Sequence, residues 1–117
     1  MTKRKISWEE FEKDVRTLAR KIQNDNNKYD GIYGVPKGGL ILAVLLCHKL
    51  NLPMLLTPTK NSLVVDEISD SGVTLSRMKR KKIACIYTTP FTMTKPDYYC
   101  KTKQNKDEWL IFPWEIQ

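Results

Sequence analysis

Ser62-Leu63-Val64-Val65-Asp66-Glu67-Ile68-Ser69-Asp70-Ser71-Gly72-Val73-Thr74-Leu75 decides how this chain is read. Leu63, Val64 and Val65 form a short apolar run, the pattern of a buried strand. The run predicts a strand over 63–66 that ends at three acids, Asp66, Glu67 and Asp70. A small polar loop follows, Ser71 to Thr74, and the spacing beyond it predicts a short helix from Thr74 to Lys81. Carboxylates accept hydrogen bonds from sugar hydroxyls or hold a hard cation such as Mg2+. A glycine-containing loop at a helix N-terminus presents unpaired N–H groups to an anion, and the helix dipole favours negative charge there. A ligand carrying both a polyol and a phosphate answers both halves of the stretch. The plainer alternative is an acidic strand-to-helix turn with no ligand.

Upstream, Ser7-Trp8-Glu9-Glu10 has the form of a capping box, in which Ser7 accepts from the Glu10 N–H and Glu10 reaches back. Trp8, Phe11, Val15, Leu18, Ala19 and Ile22 recur at helical spacing, which predicts a helix over 8–24 that stops at Asn24-Asp25-Asn26-Asn27. Ile32 to Val35 reads as a strand, and Pro36-Lys37-Gly38-Gly39 as a loop. Leu40 to Leu50 reads as an apolar helix buried on most sides. Pro53 to Thr57 and Ile83 to Thr88 are further strands. Residues 90–106 are polar and read as a loop or excursion. Trp109 to Phe112 is a late strand, followed by Pro113-Trp114-Glu115. Helices alternating with short apolar strands indicate an α/β fold with a mainly parallel sheet flanked by helices. Ligands of such sheets bind beyond the carboxyl ends of the strands, so the loops 36–39 and 66–74 are expected to share one crevice. Lys37 and the paired glycines suit an anion, because glycine lets backbone N–H groups approach it closely.

A chain of 117 residues forms one core, a single domain over 1–117. The apolar stretch Leu40 to Cys47 is too short to span a bilayer, so no membrane is expected as a partner. The basic N-terminus lacks the apolar region and cleavage site of a signal peptide. Three cysteines, Cys47, Cys85 and Cys100, have no metal-ligand spacing, and Cys47 and Cys85 read as buried thiols. These features indicate a cytoplasmic protein. Twenty basic against thirteen acidic residues give +7, which suits a polyanionic small molecule or nucleic acid. The densest basic run, Arg77 to Lys82, reads as a solvated helix end whose cations complement the dipole. His48, the only histidine, reads as a partly buried packing residue. One histidine and scattered cysteines build no catalytic triad or zinc site.

Val64-Val65-Asp66-Glu67-Ile68-Ser69-Asp70-Ser71-Gly72-Val73-Thr74 resembles the PRPP-binding motif of the type I phosphoribosyltransferases, whose core is a Rossmann-like parallel sheet. Val35-Pro36-Lys37-Gly38-Gly39-Leu40 is similar to the pyrophosphate loop of that family, which often holds a cis peptide, here the bond before Lys37. Asp107 to Glu115 resembles the tail of the small xanthine-guanine and hypoxanthine enzymes. The resemblance runs from about Trp8 to Glu115. It implies transfer of a 5-phosphoribosyl group from PRPP to a purine base (guanine, xanthine or hypoxanthine), releasing pyrophosphate with Mg2+. It implies that Asp66 and Glu67 hold the ribose hydroxyls and the metal environment. Asp70 becomes a general base, and Ser71, Gly72, Val73 and Thr74 cradle the 5′-phosphate. Pro36, Lys37, Gly38 and Gly39 bind pyrophosphate. Trp109 stacks on the base, and the Leu110 backbone reads its edge. Trp114 reads as an ordinary core or interface aromatic. The family's habit of assembling as dimers or tetramers makes a homo-oligomer the expectation, with Tyr98, Tyr99 and Trp114 as exposed interface aromatics.

Two positions depart from the family pattern. Thr57-Pro58-Thr59-Lys60-Asn61 is too short for the mobile lid that family enzymes carry between the matching strands. Without closure the reacting centre is wetter. The lysine that purine enzymes place after the fourth strand is matched by Thr89, a neutral and weaker partner for an exocyclic oxygen. Lys95, Lys101 and Lys103 lie nearby in sequence, in the segment without a predicted element. Three functions follow: a compact purine phosphoribosyltransferase; a regulatory module that binds PRPP or a nucleotide with little transferase activity; and nucleic-acid binding, which no recognition motif supports.

Overall fold

The computed structural model describes residues 1–78 and 81–115. In chain order the elements are β1 (Thr2–Lys5), α1 (Trp8–Gln23), β2 (Ile32–Gly34), α2 (Gly38–Leu50), β3 (Met54–Leu55), β4 (Leu63–Ser69), a 3-10 turn (Leu75–Arg77), β5 (Lys82–Thr88), β6 (Tyr98–Thr102) and β7 (Glu108–Ile111). Five strands form one sheet in the order β3-β2-β4-β5-β6, and every pairing in it is parallel. β1 and β7 form a separate parallel pair, with Arg4 opposite Leu110. Near-continuous apolar runs mark strands covered on both faces. β4 fits that rule, since Leu63, Val64 and Val65 are fully buried.

Side-chain alternation divides the core. Leu63, Val65, Ala84 and Ile86 share a cluster with Phe11, Leu18, Leu42 and Leu46 of the two α-helices. Val64, Ile83 and Cys85 point the other way and pack with Val35 and Leu75. Among the described residues both α-helices therefore cover one face of the sheet. The second face is closed by the turn that carries Leu75.

α1 begins where the capping pattern places it. Ser7 is extended, and its Oγ accepts from the Glu10 N–H at 3.0 Å. The reciprocal half of the capping box does not form. The Glu10 carboxylate instead accepts from Arg4 at 2.6 Å and Lys101 at 3.0 Å, because two full positive charges outcompete one amide. α2 starts at Gly38 rather than Leu40, so both glycines of the expected loop lie in its first turn. It is buried on one face through Gly39, Leu42, Ala43 and Leu46, while Val44, His48 and Lys49 are exposed. His48 is thus a surface residue, not a packing one. Of the cysteines only Cys85 is buried; Cys47 is half-buried.

Other boundaries also move. β4 continues past Asp66 to Ser69, because Ile68 and Ser69 still pair with Tyr87 and Thr88. The helix expected over 74–81 shortens to the 3-10 turn, with Lys79 and Arg80 of the basic run outside the described residues. The strand at 53–57 contracts to Met54–Leu55. Residues 90–106 contain β6, an edge strand whose buried Tyr98 pairs with Ala84. Tyr98 is therefore not the exposed aromatic that was expected, and Trp114 is half-buried, stacked on Phe112 at 5.2 Å. Turn 57–61 is closed on itself, with Ser62 Oγ bonded to the N–H and carbonyl of Thr59 at 3.1 and 2.9 Å. Among the described residues no helix is long and apolar enough to cross a membrane.

Phe11 links α1 to the C-terminal segment, edge-on to Trp114 at 4.9 Å and to Phe112 at 6.4 Å. It is fully buried. Phe11→Ala is expected to lower unfolding free energy in urea by about 3–5 kcal/mol.

Candidate functional site

Three segments meet beyond the carboxyl ends of the parallel strands. The first follows β2. The Pro36–Lys37 peptide is cis, as the resemblance implies. Gly39 lies against the backbone of β4, and a Cβ there would stand 2.5 Å from the Val65 carbonyl oxygen. A side chain at Gly38 would collide with the Glu67 carboxyl. Glycine at both positions thus lets the start of α2 sit directly on the acids of β4. Of the first N–H groups of α2, that of Gly39 donates to the Val35 carbonyl at 2.8 Å and that of Leu40 to the Lys37 carbonyl at 3.2 Å, so among the described residues those of Lys37 and Gly38 remain to face an anion. Lys37 adds an exposed positive charge beside them.

Asp66 and Glu67 are neighbours at the end of β4, and the Asp66 carboxylate accepts from the Glu67 N–H at 2.9 Å. Burial raises the Asp66 carboxyl above the usual range. Burial also raises that of Glu67, with the Asp66 carboxyl and then Glu115 adding to the effect. Two buried acids side by side favour a shared proton or a cation. Among the described residues no cluster of three or more metal-ligating side chains occurs. A hard cation here would take two carboxylates from the protein and complete its oxygen shell from ligand and water. The donor chemistry fits Mg2+ on those terms.

The loop after β4 encloses a small pocket of about 120 Å³, lined by Asp66, Ser69, Asp70 and the run Ser71, Gly72, Val73 and Thr74. Gly72 has φ +84°, a conformation that favours glycine. Segment 92–94 presses on it from behind. Met93 N–H donates to the Ser71 carbonyl at 2.8 Å and Thr94 Oγ1 to the Gly72 carbonyl at 2.7 Å. Among the described residues a 3-10 turn follows, so an anion here would meet loop N–H and hydroxyl groups rather than the terminus of an α-helix.

A larger cleft of about 880 Å³ lies alongside, lined by Lys37, Gly38, Glu67, Asp70, Lys103 and Trp109 among others. Trp109 is 52% exposed, whereas Leu110 is buried. Thr89 does not line this cleft: its hydroxyl donates to the Asp70 carbonyl at 2.6 Å and braces the loop. The buried lysine at the cleft is Lys103, only 4% exposed. Its Nζ donates to Asp70 Oδ2 at 3.0 Å and to the Glu108 carbonyl at 2.9 Å. The sequence named Lys103 among three candidates but gave no signal to choose it. The choice depends on β6, which aligns Thr102 with Thr88 and lets the Lys103 N–H bond the Thr88 carbonyl. A second surface cleft, lined by Lys21, Asp25, Tyr98 and Tyr99 among others, involves no predicted site residue.

Gly72→Ala is expected to cost about 1–3 kcal/mol of stability through strain at positive φ. It should also weaken phosphate-ester binding measured by calorimetry. The acid pair sets a pH dependence. Glu67 is raised to about 9 in the folded chain, so the folded state holds a proton that the unfolded state releases above its lower carboxyl range. Stability of the ligand-free protein should therefore fall as pH rises toward 9. Glu67→Gln should flatten that slope in urea titrations taken across the range.

No protein-family model matches the sequence. The chain is 26% identical to the xanthine-guanine phosphoribosyltransferase of Gluconobacter oxydans, over 94% of this chain and 83% of that protein. It is 28% identical to the protein of the same name from Idiomarina loihiensis, over 95% and 86%. Among solved structures, the xanthine-guanine-hypoxanthine phosphoribosyltransferase of Helicobacter pylori shares the fold at TM-score 0.83 and 23% identity, over 97% of this chain and 94% of that one. The purine phosphoribosyltransferase of Pyrococcus horikoshii superposes with TM-score 0.85 at 31% identity, over 100% of this chain and 97% of that one. With that identity over its whole length, the chain belongs to the purine phosphoribosyltransferases and has the type I phosphoribosyltransferase fold.

Proposed function

We propose that the protein transfers the 5-phosphoribosyl group of PRPP to a ring nitrogen of a 6-oxopurine, giving a nucleoside 5′-monophosphate and pyrophosphate. The observation that carries this reading is that Asp70 lines both the small loop pocket and the large cleft. A ribosyl phosphate held in the first and a base held in the second would meet at its carboxylate.

In this reading the loop groups of Ser71, Gly72, Val73 and Thr74 hold the 5′-phosphate, and Asp66 and Glu67 hold the ribose hydroxyls. The start of α2, with Lys37 and Gly38, binds pyrophosphate. Mg2+ held by Asp66 and Glu67 through ligand and water would supply charge neutralisation for the departing pyrophosphate. The base lies on Trp109, which offers a flat apolar face. The bond from C1′ to pyrophosphate oxygen breaks with its electron pair, the base nitrogen bonds C1′, and the proton of that nitrogen passes to Asp70. Lys103 supplies a buried ammonium to an exocyclic oxygen of the base, the role the family resemblance gave to Thr89. The names of the relatives, xanthine-guanine enzymes, support a 6-oxopurine. The protein acts in the cytoplasm as a homo-oligomer, which light scattering of the purified chain would test.

Pyrophosphate release from PRPP and Mg2+ is to be measured with guanine, xanthine, hypoxanthine, adenine, uracil and no base. Release should depend on a 6-oxopurine. Asp70→Asn should lower turnover about 10²–10⁴-fold with PRPP affinity nearly unchanged. Lys103→Met should raise KM for the 6-oxopurine about tenfold or more, as loss of a charge-assisted donor does. The tight 57–61 turn favours one other reading, a regulatory module. It requires PRPP binding without base-dependent release in every arm.

A further inference from the structure

We propose that Arg4 is a positioning residue for the base, an anchor that fixes β7 against the sheet core; its kinetic consequence rests on the transferase reading above. β1 and β7 form only a two-stranded pair, which is marginal unless something holds it. Ile6, Leu110 and Phe112 bury their side chains in the main cluster and set how deep the pair lies. Apolar burial is non-directional, so it leaves the pair free to slide except where Lys103 holds the Glu108 carbonyl at the start of β7. Arg4 removes that freedom. One guanidinium nitrogen donates to the Tyr87 hydroxyl of β5 at 2.8 Å, and the other to Glu10 of α1 at 2.6 Å. Lys101 of β6 holds the same Glu10 oxygen at 3.0 Å and reaches the buried Asp14 at 3.1 Å. Two core elements, β5 and α1, thus hold one side chain of β1, and β6 braces the arrangement through Glu10. Arg4 stands directly opposite Leu110, and Lys3 opposite Trp109. The fork of the guanidinium is what a single ammonium cannot reproduce. Burial alone would raise the Glu10 carboxyl, but Lys101 and Arg4 outweigh it and keep the group ionised.

The test compares Arg4→Gln, Arg4→Lys and the control Arg16→Gln, whose guanidinium makes an exposed pair with Glu12. Amide exchange is read at Trp109, Leu110 and Ile111 and, as reference, at Val64 and Val65 of β4. In Arg4→Gln, exchange in β7 should rise about tenfold while β4 stays within about twofold, the pattern of local opening. KM for the base should rise about tenfold with KM for PRPP within about twofold, since misplacing a binding strand weakens only the substrate it contacts. Arg4→Lys should recover part of both effects, and Arg16→Gln should match the parent. A parallel rise in β4 exchange, or a base KM that stays level while β7 exchange stays level, would overturn the proposal. If the parent chain shows no base-dependent release, the transferase reading fails, and the exchange comparison still decides whether Arg4 anchors β7.

Discussion

The first turn of α2 rests on the backbone of β4 with no side chain between them. Gly39 approaches the Val65 carbonyl too closely to admit a Cβ. Because β2 and β4 are parallel neighbours, with Gly34 opposite Val65, both strands end at one level. The loop that leaves β2 must therefore turn over the acids that follow Val65. Helix, cis peptide, Lys37 and the acid pair are brought together by that single contact. It also explains the burial that raises the carboxyls of Asp66 and Glu67. A larger residue at the start of the helix would lift it, admit water and relax both groups toward ordinary values.

A second constraint acts from the opposite side of the cleft. Lys103 is a buried ammonium, and a buried charge persists only when it is paired and hydrogen-bonded. Asp70 and the Glu108 carbonyl meet that need. One side chain thereby ties the loop after β4 to the start of β7. Among the described residues the two sheets share no strand pairing, so polar links of this kind, together with the aromatic cluster of Phe11, Phe112 and Trp114, define how they sit.

Particular residues show why some of the architecture was legible and some was not. The face of α1 repeats at helical spacing for four turns, long enough for periodicity to be unambiguous. β4 was recognised by its apolar start but ended too early, because Asp66 and Glu67 resemble a strand terminus. The strand runs on beyond them because Ile68 and Ser69 pair with Tyr87 and Thr88 of β5, a non-local bond that leaves no local mark. β6 was missed because Tyr98-Tyr99-Cys100-Lys101-Thr102 is an edge strand, where polar and charged residues face water and carry no apolar run. β1 was missed for the same reason: Thr2-Lys3-Arg4-Lys5 is a strand only because β7 lies beside it.

By itself the sequence determined the α/β class, the two loops that face each other and the acids Asp66, Glu67 and Asp70, since these depend on local pattern and fixed spacing. The tertiary structure alone decided which lysine reaches the cleft. Thr89 is adjacent in sequence to the expected position, but its hydroxyl is held by the Asp70 carbonyl. Lys103 arrives from another strand through the parallel register of β5 and β6. Spacing along a chain specifies neighbours within one element. Only the packing of separate elements specifies which side chains meet in a buried cleft, and there the requirement to pair a desolvated charge makes the selection.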